Sequence, residues 1–405
     1  MVTKKIERAR KREVEEIAKL LSGMIQIETV NSGSDDGSRK KDYPKLMEGA
    51  KFVSSWMREH GIKSKVEKLD PKSLTPVVTA EIGNGEKTLV INGHIDVVPI
   101  GTKAWRYGPF SGKITEGRVF GRGAADMKGG IAVHMYLLSE LADKLDYKVV
   151  FNAVTDEEEG GFNGSRYLAK RYAKADLALI AEPGGQSAIG IGEKGVLTIK
   201  VSAEGKSAHS SRPSLGTNAI MKMSERLDSL SKVSKQELKL PKELIGLTRN
   251  SDRLFENEIG RITFNPAVIS GGTKANIVPD HCETFVDMRV PAGVSSKKAF
   301  AIANELLLRK GAEIVVKSES NYTSPSNGYV RGFKNIVRRN AKSATLIVKS
   351  GGSDGRFFRE VGVPTIVYGP GEYEQIHTEN EHVTFENLRV AYNVYREFML
   401  NFGKM

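Results

Sequence analysis

The stretch Gly93-His94-Ile95-Asp96-Val97-Val98-Pro99 places an imidazole and a carboxylate two residues apart, after the apolar run 88–92. Side chains alternate along a strand, so His94 and Asp96 project to one face. Imidazole is a common zinc ligand, and a neighbouring carboxylate can fix its tautomer and orientation. On its own the pair also fits a plain turn after a strand. Further acidic groups change that balance. Asp156-Glu157-Glu158-Glu159 follows the apolar run 149–154. Four consecutive carboxylates repel one another, which calls for a metal or basic side chains to compensate; a solvated acidic loop is the alternative. Glu182 ends the apolar run 176–180, and His377 follows the segment 365–368 and Gly369-Pro370-Gly371. Asp126 precedes a helical pattern inside Gly121-Arg122-Gly123-Ala124-Ala125-Asp126-Met127-Lys128-Gly129-Gly130 and reads locally as a helix N-cap. The glycines there lack the spacing of a dinucleotide fingerprint.

The elements that must position these groups alternate. Strand patterns fall at 63–68, 76–82, 88–92, 148–154, 177–181, 345–348 and 365–368. Helical patterns fall at 6–27, 46–60, 127–145, 163–172, 328–339, 354–361 and 385–402, with a polar loop from 28 to 43. This alternation predicts an α/β fold whose sheet is covered on both faces. In such sheets, sites form outside the carboxyl ends of the strands, where His94, Glu157, Glu158, Glu182 and His377 could converge. Two imidazoles and several carboxylates form an oxygen and nitrogen donor set suited to zinc, or to cobalt or manganese. The set is large enough for two ions sharing a bridging carboxylate, with one carboxylate left free as a general base on a bound water.

The middle of the chain follows a different rhythm. A strand at 195–203, a helix at 218–230, strands at 261–270 and 283–290, a helix at 295–309 and a strand at 313–317 give β-α-β-β-α-β, the ferredoxin-like order. The expected organisation is an inserted domain at 193–320 within a discontinuous domain at 1–192 and 321–405.

At 405 residues the chain is long for one core. Its formal charge is +12 with a pI near 9.4. The lysines and arginines are dispersed and no basic run is interleaved with aromatics, so a solvated basic surface is expected rather than nucleic-acid binding. No apolar run is long enough to span a bilayer, so no membrane role is expected. Cys282 is the single cysteine, which excludes an intrachain disulfide and points to the cytoplasm.

Taken together, GHIDVVP, GRGAADMKGG, TDEEEGG, AEP, GKSAHSSRP, KANIVPD, VDMRVPAG, GGSDGRFF and GPG…IHTENE resemble the zinc amidohydrolase and exopeptidase family of succinyl-diaminopimelate desuccinylase, acetylornithine deacetylase, aminoacylase and glutamate carboxypeptidase. The resemblance spans nearly the whole chain. It implies a mixed-sheet metallopeptidase-like catalytic domain, with the inserted ferredoxin-like domain as lid and homodimer surface. It implies two Zn2+ per subunit, replaceable by Co2+ or Mn2+. His94 and Glu182 would bind one ion, Glu158 and His377 the other, and Asp126 would bridge them. Asp96 would hold His94, and Glu157 would be the general base; a register with Glu158 and Glu159 as base and ligand is the alternative. His209 would reach a neighbouring subunit's site and stabilise the oxyanion. Asn276 and Arg289 would bind the substrate's carboxylate or carbonyl, with Arg356 as a further anchor. The Asp126–Met127 peptide would be cis. The implied reaction is hydrolysis of an amide bond in an N-acyl amino acid, closest to the desuccinylase branch. Acetylornithine deacetylase-like and dipeptidase- or carboxypeptidase-like hydrolysis of a short peptide share the same residues. A non-catalytic metal-binding dimer is the remote alternative.

Overall fold

A computed structural model describes residues 2–31, 43–255, 257–309 and 311–405, the side chains of 2–10 excepted. Most of the polar stretch expected as a loop at 28–43 lies outside these residues. The chain divides into two compact units. The larger comprises residues 1–191, 323–346 and 353–405; the smaller comprises 192–322 and 347–352.

The larger unit is built on a mixed sheet. Its central strands are Lys148–Val154, Thr88–His94, Leu177–Ile180 and Thr365–Val367, neighbours in that order and all parallel. All four are rich in buried apolar residues, as expected of strands covered on both faces, with Asn92 and Asn152 among the buried polar exceptions. Val77–Ile82 and Ser64–Glu67 extend the sheet antiparallel on one side, and Ala188–Glu193 pairs antiparallel with Thr365–Val367 on the other. One face packs Val90, Val150 and Ala178 against Leu168 of the helix Ser165–Arg171 and Phe357 and Phe358 of the helix Gly355–Glu360. The other meets the helix Gly129–Leu141, which packs on Phe385–Phe402 and Val2–Ile25.

Parallel alignment has one consequence that matters for chemistry. His94 ends its strand, Asp156 and Glu157 follow Val154, Glu182 follows Ile180, and the loop to His377 leaves Thr365–Val367, so all four exits share one sheet edge.

Two expectations need correction. The helix predicted from 127 begins at Gly129, because Asp126 is extended (φ −122°, ψ 97°) and Met127 is also non-helical (φ −130°, ψ 26°). Asp126 is therefore not the helix N-cap that its local sequence suggested. A small antiparallel sheet of Ile114–Thr115, Arg118–Phe120 and His382–Thr384 was also not foreseen, since strands of two or three residues leave no periodicity to read.

The smaller unit carries a four-stranded antiparallel sheet in the order Asn265–Gly271, His281–Val290, Gly195–Glu204, Ala312–Ser318. With the helices Ala219–Ser231 and Ser296–Leu306 this is the ferredoxin-like order. Strict alternation along Gly195–Glu204 and His281–Val290 buries Leu197, Ile199, Val201, Val286 and Met288. Asn218 and Ser295 cap the two helices by accepting from backbone N–H groups one turn in. The helix Lys242–Asp252 is an addition to the expected pattern.

Candidate metal centre

His94 and Asp96 leave their strand fully buried. The ring of His94 is oriented from behind: Nδ1 lies 2.9 Å from the Asp96 carbonyl oxygen and 3.6 Å from Asp96 Oδ1. A proton on Nδ1 shared with that carbonyl leaves Nε2 bare and facing the site. Nε2 lies 3.1 Å from Asp126 Oδ1 and 3.7 Å from Glu182 Oε1. Asp126 presents its other oxygen, Oδ2, to His377 Nε2 at 3.4 Å, and Glu158 Oε1 is equally 3.4 Å from that nitrogen. One carboxylate thus reaches an imidazole on each side. The Asp126–Met127 peptide is cis, as the sequence resemblance implied.

Two overlapping groups could each hold an ion: His94, Glu157 and Glu182, with donor atoms all within 4.8 Å of one another, and His94, Asp126 and Glu158. Glu159 belongs to neither group. The donors are nitrogen and carboxylate oxygen without thiolate, which suits a zinc-type divalent ion.

Electrostatics show a demand for positive charge. Burial disfavours the His94 imidazolium, yet Asp126, Glu157 and Asp96 outweigh it and draw its pKa well above 6.5. Hydrogen bonds to Asp126 and Glu158 push His377 up to about 10. Asp126 is held low despite burial, by its contacts with His377 and His94. Burial first, and the Glu182 charge next, drive Glu157 well above the usual carboxylate range. Burial pushes Asp96 up to about 7 against the pull of His94. Five carboxylates share two imidazoles here, so the imidazoles stand where cations are required, which is the condition a divalent ion relieves.

Three supports were missed in the sequence. Asn31 donates to Asp96 Oδ2 at 3.2 Å, and the Glu158 N–H donates to the same oxygen at 3.2 Å. Arg122 and Glu381 form a buried pair behind Asp126. An isolated Asn, Arg or Glu gives no spacing signal, so only the folded chain reveals them.

Arg356, expected as a substrate anchor, donates through Nη2 to the Gly160 carbonyl and lies over Phe357, 4.6 Å from the ring centroid. It braces the end of the acidic loop. His209, Asn276 and Arg289 belong to the smaller unit. There, His209 bridges Ile277, and the Ser210 N–H donates to the Asn276 carbonyl at 3.0 Å, so His209 and Asn276 are neighbours. The Ser211 N–H donates to His209 Nδ1 at 3.2 Å, which leaves the neutral ring's proton on Nε2. Arg289 donates to Asp287 Oδ1 at 2.9 Å and lines a cavity of about 680 Å³ with Lys194, Lys235, Arg261 and Glu258. The remaining histidines have local explanations. His60 stacks on Trp56, His281 contacts Glu204, and His382 Nδ1 lies 2.9 Å from the Asn380 carbonyl. His134 is buried against Tyr395.

Comparison with known proteins identifies the family. A succinyl-diaminopimelate desuccinylase of Ehrlichia canis is 28% identical over 371 residues, covering 87% of this chain and 92% of that protein. An acetylornithine deacetylase of Proteus mirabilis is 26% identical, covering 87% and 89%. Among solved structures, an M20 family metallo-carboxypeptidase from Sulfolobus solfataricus superposes with a TM-score of 0.76 at 22% identity, over 96% of this chain and all of that one. The sequence pattern of peptidase family M20/M25/M40 matches residues 90–401, and the chain belongs to that family as a metal-dependent hydrolase of amide bonds.

Proposed function

We propose that this enzyme removes an acyl group from the nitrogen of an amino acid, with an N-succinyl amino acid as the leading substrate. The observation that carries the reading is Asp126, whose two oxygens face His94 at 3.1 Å and His377 at 3.4 Å, the arrangement of a carboxylate shared by two ions. His94 and Glu182 are proposed as ligands of one Zn2+, and Glu158 and His377 as ligands of the other. Bound there, the ions would lower the pKa of a water and polarise the amide carbonyl. Glu157, whose proton affinity is raised by burial, would act in its ionised form, taking the proton from water as the water oxygen attacks the amide carbon and returning it to the leaving nitrogen as the C–N bond breaks. That Glu158 and not Glu159 belongs to the donor group with His94 and Asp126 supports the register with Glu158 as ligand and Glu157 as base.

The smaller unit (192–322 with 347–352) is proposed as the lid and homodimer surface, with His209 Nε2–H serving as oxyanion donor to a neighbouring subunit. Its cavity, lined by Lys194, Lys235, Arg261, Arg289 and Glu258 among the described residues, is proposed to take a ligand with more than one carboxylate, as an N-succinyl amino acid has. Asn276 and Arg289 are proposed substrate contacts, and Arg356 a supporting one. Cytoplasmic location is part of the same proposal.

The similar identity of the deacetylase relative keeps N-acetyl substrates as the second reading. N-succinyl, N-acetyl and dipeptide substrates assayed with zinc, cobalt and manganese separate the readings. Preferred turnover of N-succinyl substrates is expected; faster cleavage of N-acetyl substrates or dipeptides would replace it, and no turnover of any would favour a non-catalytic dimer. Glu157→Gln should lower kcat by at least about a thousandfold with metal content retained. Near-parental turnover in that variant would remove Glu157 as the base.

A further inference from the structure

Arg122 and Glu381 are 2% and 0% exposed, and Arg122 Nη1 meets Glu381 Oε2 at 2.7 Å. Desolvation offsets much of the attraction in a buried ion pair, so stability alone is a weak reason to have one here. Each ion is also tied to backbone. Glu381 Oε1 accepts from the N–H of Ala125 at 2.9 Å and of Asp126 at 3.1 Å. Arg122 Nη1 donates to the Thr378 carbonyl at 3.2 Å, and Nη2 donates to the carbonyls of Pro99 at 3.2 Å and His377 at 3.5 Å. Pro99 ends the loop that begins with His94 and Asp96. Ala125 and Asp126 form the second loop, and His377 and Thr378 the third.

The unforeseen small sheet brings the two partners together. Arg118–Phe120 pairs with His382–Thr384, and the Gly121 N–H donates to the Glu381 carbonyl at 2.9 Å. Trp105 lies over the guanidinium at 5.2 Å. The planar fork of an arginine can reach several acceptors at once, which a lysine cannot.

We infer that Arg122 and Glu381 act together as positioning residues that set the spacing between the His94, Asp126 and His377 loops of the metal centre. They touch no reacting atom and work through the backbone of the loops. The inference rests on the proposed metal centre. Outer supports of metal ligands typically account for about 10–100-fold in metal affinity.

The test uses the full chain with Co2+ alone as probe, comparing the parent with Arg122→Lys and Glu381→Gln by calorimetric titration and visible absorption. Folded variants should bind at least one Co2+ about 10–100-fold more weakly with an altered spectrum, and the double variant should be little worse than either single one. Parental affinity and spectrum in folded variants, even with lowered Tm, would overturn the inference and leave the pair a purely structural one. Should the variants not fold, amide exchange in the parent decides the matter. Co2+ should protect 121–128 and 376–382 at the same metal concentration, whereas protection of one segment without the other would overturn the coupling. A parent that binds no Co2+ would overturn the metal centre itself, and the positioning role with it.

Discussion

At the residue scale, environment assigns different behaviour to identical side chains. His94 and His377 are drawn towards their charged forms by carboxylates, while His134 is pushed down to about 3 by burial. Neither ring nitrogen of His134 has a hydrogen-bond partner among the described residues, and the ring stacks on Tyr395 with centroids 3.9 Å apart. Between about pH 3 and 6.5 the unfolded chain holds a proton on this residue that the folded chain refuses. Its contribution to stability is therefore intact above pH 6.5 and falls with acidification, by up to about 1.4 kcal/mol per pH unit within that window. His134→Phe should flatten the acid side of the stability curve. Urea midpoints at pH 7 and pH 5 check this, and an unchanged difference between the two would refute it.

At the element scale, the site depends on how closely helices approach strand ends. Gly130 opens the helix Gly129–Leu141 against the strand end that carries Glu182. A Cβ there would lie 2.3 Å from the Ala181 carbonyl oxygen and 2.8 Å from its Cβ. Both are rigidly held, so Gly130→Ala should cost about 1–3 kcal/mol. The displaced Ala181 should also carry Glu182 with it, weakening metal binding. Thermal unfolding with and without metal separates the two effects; a lowered Tm with unchanged metal affinity would show that the strand end absorbs the strain. Gly371 has the same function on the other side, 2.3 Å from the Ala125 carbonyl oxygen by the same construction. Glycine at these positions is a condition for bringing three loops to one edge.

For the whole molecule, a centre with excess carboxylate couples metal to stability. An ion that binds the native state and not the unfolded one stabilises it by RT ln(1 + [L]/Kd), about 2.7 kcal/mol at a hundredfold excess over Kd. A chelator should therefore lower the unfolding midpoint, and excess Zn2+ should restore it. An unchanged Tm after verified metal removal would contradict the proposed centre. The +12 charge belongs to this scale as well. With its basic residues dispersed along the sequence, the chain should show no steep salt-dependent affinity for DNA, which a titration at two ionic strengths would measure.

The sequence by itself determined the candidate donors and the sheet edge they share. His94, Glu158, Glu182 and His377 each follow an apolar run, and parallel strands covered by helices must deliver their carboxyl ends together. It determined the ferredoxin-like order as well, because alternation along residues 195–203 and 283–290 leaves one face to bury. What it left open were matters of local signal. Asp126 read locally as a helix cap because a single Asp before a helix does so, and its bridging place was implied by the family resemblance alone; its extended backbone sets it between His94 and His377. Asn31, Arg122 and Glu381 were invisible, since they act through contacts between residues far apart in the chain, 65 positions for Asn31 and Asp96 and 259 for Arg122 and Glu381. The strands of two or three residues that align Arg122 with Glu381 have no period to detect. Ligand types are written into the chain one residue at a time. The distances between them, and the buried pair proposed to hold them, exist only once the tertiary structure has excluded water and closed the loops on one another.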